Sequence, residues 1–328
     1  MKNLVIKLGA LGDVVIATSL IRRIQVHYPH DELTLLTTPA FAGLFAGWPG
    51  LRVVGVPRKG LHSMWRALRW LRAQRFDRVF DLQSNDRSAI LVALSGVRMR
   101  VGNRPGFPYT HHPAKAYRSE IHIFERMNQV LASAGIPPGE PQPVLPSREQ
   151  DMRHVVEWLA QHDLAGKRFA VLHAGASPRW PSKRWPWYRE LALELVRQGV
   201  QVVWVGAEDD RELNRILAQD VGIDATGSFS IIQLAELGRH AAFAVTNDSG
   251  PMHILSASGI PVFAFFGPTR WHKNHALNQG GRVLRHTVPC SPCSLGVCPP
   301  DKGHACLRNI SVNEVLERLR VERLLSGD

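Results

Sequence analysis

The feature of this chain that most limits its fold is a regular alternation of short, β-branched runs with longer helical patterns. Strands that alternate with helices pair in parallel, because the connections between them are right-handed crossovers. The alternation therefore predicts an α/β fold. In the first half, strands are predicted at 4–7, 33–36, 53–56, 79–82 and 98–101, and helices near 13–27, 61–75, 86–95 and 122–134.

The same alternation returns after a Pro- and Gly-rich segment at 135–143, which is typical of a linker. A chain of 328 residues also exceeds a comfortable single core, so we predict two domains, 1–145 and 146–328. Their loops at the carboxyl ends of the strands should border one cleft. In the second domain, strands are predicted at 169–173, 200–205, 243–246 and 262–266, and helices near 151–162, 186–198, 209–219, 230–239, 251–258 and 312–325. The last of these helices could pack back on the first domain.

Charge is unevenly distributed along the chain. The net charge is +12, and residues 1–150 hold 20 Lys and Arg against 10 Asp and Glu, whereas residues 151–328 hold 20 against 18. A basic half attracts nucleic acid, an anionic membrane or a phosphorylated substrate. A solubilising surface is the alternative, but it does not account for the asymmetry. No apolar run reaches the roughly 18 residues of a membrane span and no signal peptide is evident, so we expect a cytoplasmic protein.

The segment 245–253 is the first candidate site, because an apolar strand there runs into a polar turn and then into a helix that opens with a proline. Gly250 permits close approach of the backbone, and the N–H groups of a helix start suit a diphosphate. His253 lies in the first turn, within reach of a phosphate or a sugar. An ordinary turn, capped by Asp248 or Ser249 and with His253 on the surface, explains the segment equally well.

The second candidate is the loop after the first strand of the second domain. It leaves the strand through Gly175, Ala176 and Ser177, and it presents Lys183 just before a Trp-Pro helix start. Small residues and one lysine are a usual way to hold phosphate oxygens. The alternative is a basic, aromatic surface loop. In either case we interpret Trp185 as a packing residue.

Two acidic residues also stand where predicted strands end. Asp13 follows Gly9-x-x-Gly12, a pair of glycines that matches neither a dinucleotide nor a Walker loop, and it faces the expected cleft. An N-cap is the commoner role of such an aspartate, and the two roles are compatible. Glu208 follows a strand of the second domain, where an acidic residue often binds ribose hydroxyls, although acidic residues also favour helix starts.

All four cysteines lie within 17 residues, as Cys290-x2-Cys293-x4-Cys298-x7-Cys306. Clustered cysteines with a C-x2-C unit in a reducing compartment indicate a metal before a disulfide. Four thiolates suit zinc or iron held tetrahedrally, although the spacing is not that of a standard zinc ribbon. Free or oxidised thiols are the alternative. A metal here would pin the Cys-rich loop 290–306 and would not perform the catalysis.

Together these segments resemble glycosyltransferase family 9, the heptosyltransferases that build the inner core of lipopolysaccharide. The resemblance covers nearly the whole chain, and its four motifs follow predicted strands in the same order. They are Gly9-x-x-Gly12-Asp13, Lys183-x-Trp185-Pro186, Asp248-Ser249-Gly250-Pro251-x-His253 and Phe266-Gly267-Pro268-Thr269. The resemblance implies a GT-B fold, in which two Rossmann-like domains face each other across a cleft. The first would bind the acceptor and the second the nucleotide-sugar donor.

The resemblance also implies an inverting transfer from an ADP-heptose-type donor that requires no metal or other cofactor for catalysis. Asp13 would be the general base for the acceptor hydroxyl, while Lys183 and the helix start at 250–253 would neutralise the departing diphosphate. Glu208 matches the acidic residue that binds the ribose. The donor-binding candidates are Gly12, Gly175, Ala176, Ser177, Lys183, Glu208, Asp248, Ser249, Gly250, Met252 and His253.

The basic first half fits the acceptor that the resemblance implies, a lipopolysaccharide-like molecule with carboxylates and phosphates on the inner-membrane surface. Arg66, Arg69 and Arg72 share one flank of the predicted helix 61–75. The same helix has a predicted buried face of Leu61, Trp65, Leu68 and Leu71, and loops nearby carry Arg58, Lys59, Arg104, Lys115 and Arg118. Of these basic residues, the acceptor-binding candidates are Arg58, Lys59, Arg66 and Arg104.

Two other functions remain open. The same fold could transfer a heptose or another sugar to a protein or to another glycan, because donor selectivity depends on few contacts. A basic nucleic-acid-binding protein with a Cys-metal module is the alternative from a different class. Against it, aromatic residues are not interleaved with basic ones on a strand platform and no RNA- or DNA-binding motif is present, so no nucleic-acid partner is expected. The sequence does not determine the oligomeric state.

Overall fold

A computed structural model describes residues 1–57, 60–115 and 120–325, without the side chain of Leu61. The chain divides into two compact units, Met1–Pro146 and Ser147–Asp328. Each unit is an α/β structure built on one parallel sheet. Within the described ranges, the structure contains no helix that combines the length and the apolar character needed to cross a membrane.

Over residues 1–57, 60–115 and 120–146, the first unit contains five strands and five α-helices. The strands are β1 (Lys2–Ile6), β2 (Glu32–Thr37), β3 (Leu51–Gly55), β4 (Arg78–Asp81) and β5 (Met99–Val101). The helices are α1 (Leu11–His27), α2 (Pro39–Ala42), α3 (Leu61–Gln74), α4 (Asp86–Leu94) and α5 (Ile123–Ala132). The sheet order is β3-β2-β1-β4-β5. The order therefore reverses between β1 and β4, which is the switch point at which open α/β sheets bind ligands.

Helix α3 packs on α4 through an apolar stripe in which Ala67, Leu68 and Leu71 are buried. Leu71 lies four residues after Ala67 and three after Leu68, as one face of a helix requires. The prediction that Trp65 belongs to this face is wrong, because Trp65 is 62% exposed. The stripe passes instead through Met64, which is half-buried against the same cluster.

The second unit repeats this plan with six strands between residues 147 and 325, where its structure is described. They are β6 (Phe169–His173), β7 (Gln201–Trp204), β8 (Ile223–Asp224), β9 (Phe243–Asn247), β10 (Val262–Phe265) and β11 (Val283–Leu284). The helices are α6 (Glu149–Gln161), α7 (Tyr188–Arg197), α8 (Arg211–Asp220), α9 (Ile231–His240), α10 (Gly250–Ser256), α11 (Trp271–Asn274), α12 (Ala305–Arg308) and α13 (Val312–Val321). The sheet order is β11-β10-β9-β6-β7-β8, so its switch point lies between β6 and β9.

The sequence prediction finds the long elements to within a few residues and misses the short ones. The edge strands β8 and β11 have two residues each, and α2, α11 and α12 have four each, which is too short for a hydrophobic period to be visible. The last helix, α13, belongs to the core of the second unit. Its side chains Val315, Leu316 and Leu319 are buried there in one cluster with Trp185.

Candidate functional site

Two strand ends of the second unit meet at its switch point, where β6 ends at His173 and β9 ends at Asn247. The side chain of Asn247 is fully buried and joins the loops that follow them. Its amide donates to the carbonyl oxygens of Ala174 at 3.0 Å and Gly175 at 2.9 Å, and its oxygen accepts the N–H of Trp185 at 3.1 Å. Asn247 is not among the residues predicted from the sequence, although a polar residue at the end of an apolar strand is a signal that the sequence shows.

Lys183 and Asp248 form the central ion pair of this site. The Lys183 ammonium donates to the Asp248 carboxylate at 2.8 Å and to the Asp248 carbonyl at 3.2 Å. Thr269 donates to the same carboxylate oxygen at 2.6 Å. The Asp248 side chain is 7% exposed and that of Lys183 is 19% exposed. Asp248 therefore holds the ammonium in place, and the lysine is the partner that an incoming anion can reach.

A second polar chain runs from Asp210 through His173 to Ser249. The His173 ring lies 3.5 Å from the Asp210 carboxylate through Nε2 and 3.1 Å from the Ser249 hydroxyl through Nδ1. Burial raises the pKa of Asp210, but the hydrogen bond and charge of His173 and the N–H of Ala207 outweigh it, and the net direction is downward. A Cβ at Gly175 would lie 2.0 Å from the same carboxylate, so this glycine is required by close packing.

The remaining donor candidates differ in their surroundings. Glu208 is exposed and pairs with Arg211 at 2.7 Å, which lowers the pKa of Glu208. Ser177 is also exposed, whereas Ala176 is buried and its carbonyl accepts from Arg184 at 3.5 Å.

The turn after β9 carries four more donor candidates. Ser249 occupies the N-cap position of α10 without a side-chain cap bond, and Gly250 is the first helical residue. Met252 is fully buried in the core, and His253 is buried as well. The alternative that places His253 on the surface is therefore wrong.

The first unit has a pocket of about 290 Å³ at its own switch point, beyond the ends of β1 and β4. Lys7 follows β1 and is almost completely buried; its ammonium donates to the carbonyl of Leu82 at 3.2 Å and lies 3.7 Å from the Asp13 carboxylate. Asp13 is the third residue of α1, after Gly12, and Ala10 occupies the N-cap position. The expected N-cap role of Asp13 is therefore wrong, and its side chain is 39% exposed beside the pocket.

A buried pair, Asp81 and Tyr109, is bonded to two residues that line this pocket. The Asp81 carboxylate accepts the hydroxyl of Tyr109 at 2.6 Å and the backbone N–H groups of Gln83 at 3.0 Å and Ser84 at 2.9 Å. Burial raises the pKa of Asp81, and these hydrogen bonds act against that rise. A Cβ at Gly102 would lie 2.1 Å from the Tyr109 ring. The loop that carries Gln83 and Ser84 is thus fixed by contacts between distant parts of the chain.

The chain matches the model of one protein family, glycosyltransferase family 9 (heptosyltransferase), over residues 64–304. The matched segment is well over half of the chain. The chain belongs to glycosyltransferase family 9. The resemblance inferred from the four motifs is confirmed, and the protein is a glycosyltransferase.

Known members of the family agree with this assignment. Lipopolysaccharide heptosyltransferase 2 of Escherichia coli K12 is 28% identical over 352 aligned residues, which cover 97% of this chain and 97% of that protein. A family 9 glycosyltransferase from Veillonella parvula DSM 2008 has a TM-score of 0.80 at 21% identity and covers 98% of this chain and 97% of its own. E. coli ADP-heptose lps heptosyltransferase II has a TM-score of 0.78 at 24% identity, with 99% of each chain covered. The predicted GT-B fold with two Rossmann-like units is confirmed.

The basic residues predicted to bind the acceptor of this family 9 enzyme have different surroundings where the structure describes them. Arg66 and Arg69 are exposed on α3, and Arg72 donates to the carbonyl of Leu94 at 2.8 Å. Arg104 is exposed and pairs with Asp86 at 3.2 Å, and Lys115 is exposed as well. Arg58, Lys59 and Arg118 lie outside the described residues. Acceptor binding by these side chains remains a prediction.

Part of the positive charge of the first unit collects at the opposite end of the sheet. Arg72, Arg75, Arg78 and Arg98 line a cavity of about 690 Å³ at the amino ends of β4 and β5. Arg78 is paired there with Asp31 at 2.7 Å. Open α/β sheets bind ligands at the carboxyl ends of their strands, so this larger cavity is not the expected substrate site.

The Cys-rich loop 290–306 packs beside the Lys183 loop. All four cysteines are free thiols and line one cavity of about 60 Å³. Ser182 donates through its N–H to the carbonyl of Gly296 at 3.0 Å and through its hydroxyl to that of Leu295 at 2.7 Å. Burial, followed by the charges of the other three cysteines, raises the pKa of Cys306 to about 11. Among the side chains described, no three of His, Cys, Asp or Glu already stand in positions that hold a metal ion.

Proposed function

We propose that this glycosyltransferase moves a heptose from an ADP-heptose-type donor to a lipopolysaccharide inner-core acceptor at the cytoplasmic face of the inner membrane. The observation that carries the proposal is the Lys183–Asp248 pair at the switch point of the second sheet, where this topology binds anionic ligands. Membership of the heptosyltransferase family and the similarity to lipopolysaccharide heptosyltransferase 2 of E. coli support heptose as the sugar and lipopolysaccharide as the acceptor class.

Lys183 is the residue that neutralises the donor diphosphate in this proposal. Charge develops on the diphosphate as its bond to the sugar breaks, and a cation that is already in place stabilises that charge without reorganisation. Asp248 fixes the ammonium at 2.8 Å. Ser249, held by His173, supplies a hydroxyl beside it. Glu208 binds the ribose, for which its bond to Arg211 must be exchanged.

Asp13 is the proposed general base. The acceptor hydroxyl oxygen attacks the anomeric carbon, the bond from that carbon to the diphosphate breaks, and its electron pair leaves with ADP. The hydroxyl proton passes to the Asp13 carboxylate, which is accessible at 39% of its side-chain surface. The step is a single displacement, so it inverts the anomeric configuration. It requires no catalytic metal.

The test is incubation of the protein with a panel of nucleotide-sugars and truncated lipopolysaccharide, read by mass spectrometry. We expect the mass of one heptose to be added to the acceptor from an ADP-heptose donor. Transfer of another sugar, or transfer to a protein instead, would support the alternative in which the same fold serves a different substrate. Failure to add mass with any donor contradicts the transferase proposal.

For the Cys-rich loop we propose a structural zinc or iron ion held by Cys290, Cys293, Cys298 and Cys306. The convergence of four free thiols on one cavity supports it, and binding would have to draw the thiols together around the ion. Because Ser182 anchors this loop next to Lys183, the ion would stiffen the donor site. Elemental analysis of the purified protein should find about one metal per chain, reduced in a Cys298→Ser variant. A metal-free protein of unchanged thermal stability contradicts the proposal.

A further inference from the structure

The buried histidine at the end of β6, His173, has a defined partner at each ring nitrogen. Its Nδ1 lies 3.1 Å from the Ser249 hydroxyl, and its Nε2 lies 3.5 Å from the Asp210 carboxylate. The side chain of His173 is 4% exposed and that of Asp210 is 7% exposed, so neither group relies on bulk water for its hydrogen bonds. Ser249 and Asp210 therefore determine which protons the ring carries.

Ser249 has one hydroxyl proton and two acceptors for it. The hydroxyl lies 3.1 Å from Nδ1 of His173 and 3.2 Å from the carbonyl oxygen of Asn247. When it donates to Nδ1, the ring is neutral and its own proton is on Nε2, facing Asp210. When the hydroxyl donates elsewhere, Nδ1 is left as a buried acceptor unless it takes up a proton. The ring is then a cation between a hydroxyl oxygen and a carboxylate.

A diphosphate beside Ser249 would compete for the same hydroxyl proton. Ser249 is half-buried at the start of α10, and it adjoins Asp248, the partner of Lys183. The oxygens of a diphosphate diester accept hydrogen bonds and have no proton to donate. Ser249 can therefore bond to such an oxygen only by withdrawing its proton from Nδ1 of His173. Binding of the diphosphate thus favours the cationic ring.

The charges around His173 decide whether the ring can hold a proton. The other titratable side chains that contact these residues or adjoin them in the turn and α10 are Lys183, Arg184, Tyr188, Asp248 and His253. Lys183 is paired with Asp248, and burial raises the pKa of Tyr188 well above its ordinary value, so Tyr188 stays neutral. Arg184 opposes charge on the ring, because it lies 4.0 Å from the Asp210 carboxylate. The negative charge of a bound diphosphate acts with Asp210 in the other direction.

We propose that binding of the donor diphosphate is coupled to the uptake of one proton by His173, through rotation of the Ser249 hydroxyl from the ring to a phosphate oxygen. The proton comes from solvent and forms the Nδ1–H bond, while the Ser249 O–H bond stays intact. The inference rests on the proposed function, because it takes the diphosphate to lie beside Ser249. His173 is a positioning residue in this account. Its cation, held by Asp210, fixes the hydroxyl oxygen and adds a positive charge before the sugar leaves.

The experiment is calorimetric titration with ADP-heptose and with ADP-glucose, without acceptor, in buffers of different ionisation enthalpy. Both ligands are diphosphate diesters, which neither gain nor lose a proton near neutral pH. At about pH 8, where an ordinary histidine is neutral, the wild type should take up about half a proton or more per donor bound. Ser249→Thr keeps the hydroxyl and should keep the uptake. Ser249→Ala and His173→Gln should lose it and bind the donor roughly 10-fold more weakly.

The matched control is His154→Gln, which removes an exposed histidine of the same unit bonded to the Ser228 carbonyl at 3.1 Å. Its uptake should equal that of the wild type, and a loss there would assign the proton to another group and overturn the inference. Undiminished uptake in Ser249→Ala would mean that the diphosphate charges the ring without the hydroxyl. This result overturns the inference as well, and the two serine variants decide it even if His173→Gln does not fold.

Failure of the inference differs from failure of the proposed function in the same titrations. Donor binding by the wild type without proton uptake means that the ring stays neutral, which overturns the inference and leaves the proposed function intact. If neither ADP-sugar binds, although urea unfolding shows that the protein is folded, the proposed function fails and the inference fails with it.

Discussion

The two units carry the same pair of charges at the same place in the sheet, but the burial of the partners is reversed. In the second unit the aspartate is the buried partner, since the side chain of Asp248 is 7% exposed and that of Lys183 is 19% exposed. In the first unit the lysine is the buried partner, since the side chain of Lys7 is 2% exposed and that of Asp13 is 39% exposed. The pair distances differ as well, 2.8 Å for Lys183–Asp248 and 3.7 Å for Lys7–Asp13.

This reversal separates a supporting charge from a reacting one. The buried partner is shielded from solvent, and the ion pair offsets part of the cost of burying its charge. The accessible partner faces the ligand, and its sign determines the chemistry that it can perform. An accessible ammonium can neutralise a diphosphate, whereas an accessible carboxylate can accept a proton. The same topology thus gives an anion site in one unit and a base in the other.

The largest effect is expected for Asp13→Asn, which removes the accessible carboxylate and keeps its shape. Transfer should fall by about 10²- to 10⁴-fold, because an amide cannot accept the hydroxyl proton. ADP binding should not change, since the residue lies outside the proposed donor site. The measurement is the turnover number with saturating donor and acceptor. Asp163→Asn, an exposed carboxylate of the second unit, is the control, and full activity of Asp13→Asn removes Asp13 from the role of base.

Lys183→Met tests the accessible partner of the other pair. Transfer should fall roughly 100-fold through loss of charge stabilisation on the diphosphate, and ADP should bind more weakly. Folding should also suffer by roughly 1 to 3 kcal/mol, because Asp248 stays buried with Thr269 as its remaining side-chain partner among the contacts described here. Titration with ADP and urea unfolding measure the two effects. Lys167→Met, which removes an exposed lysine, should change neither, and equal behaviour of the two variants contradicts the comparison.

The sequence is sufficient to predict the alternation of elements and the strand ends at which ligands bind. Lys183 and Asp248 could be predicted as site residues because each lies in a short polar segment between an apolar strand and a helix. Their contact at 2.8 Å joins positions 65 residues apart, and no local pattern encodes it. The family resemblance supplies their order along the chain, and the folded structure supplies the distance.

The supporting residues could not be predicted for the same reason. Lys7 looks like a surface lysine in sequence, yet it is buried because β1 is the central strand and both faces of the sheet are covered. Glu208 is the residue predicted from the acidic run 208–210, although Asp210, two residues later, is the one that the fold buries against His173. Burial of one among several equivalent acids depends on tertiary packing, which local composition does not report.

A smaller effect is expected for the chain from His173 to Ser249. Ser249→Ala should lower transfer by about 10-fold, because one hydroxyl donor beside the diphosphate is lost. His173→Ala should have a similar effect if its role is to hold that hydroxyl at 3.1 Å. The double variant should then be no worse than the poorer single variant, since the two residues act as one unit. Additive losses measured in the turnover number would mean that His173 acts by itself.

The smallest predicted effect concerns Asp210, whose pKa in the folded protein is below its ordinary value of 3.8. A carboxyl group with a lowered pKa contributes stability above its unfolded value, and this contribution is lost as the pH falls through the folded pKa. The free energy of unfolding of the wild type should therefore exceed that of Asp210→Asn by a margin that shrinks as the pH falls below about 3.8. Urea unfolding from about pH 6 to about pH 3 measures the margin, with Asp163→Asn as the control for loss of one negative charge. A margin that stays constant across this range would show that the buried His173–Asp210 contact does not distinguish the charged carboxylate from the neutral one.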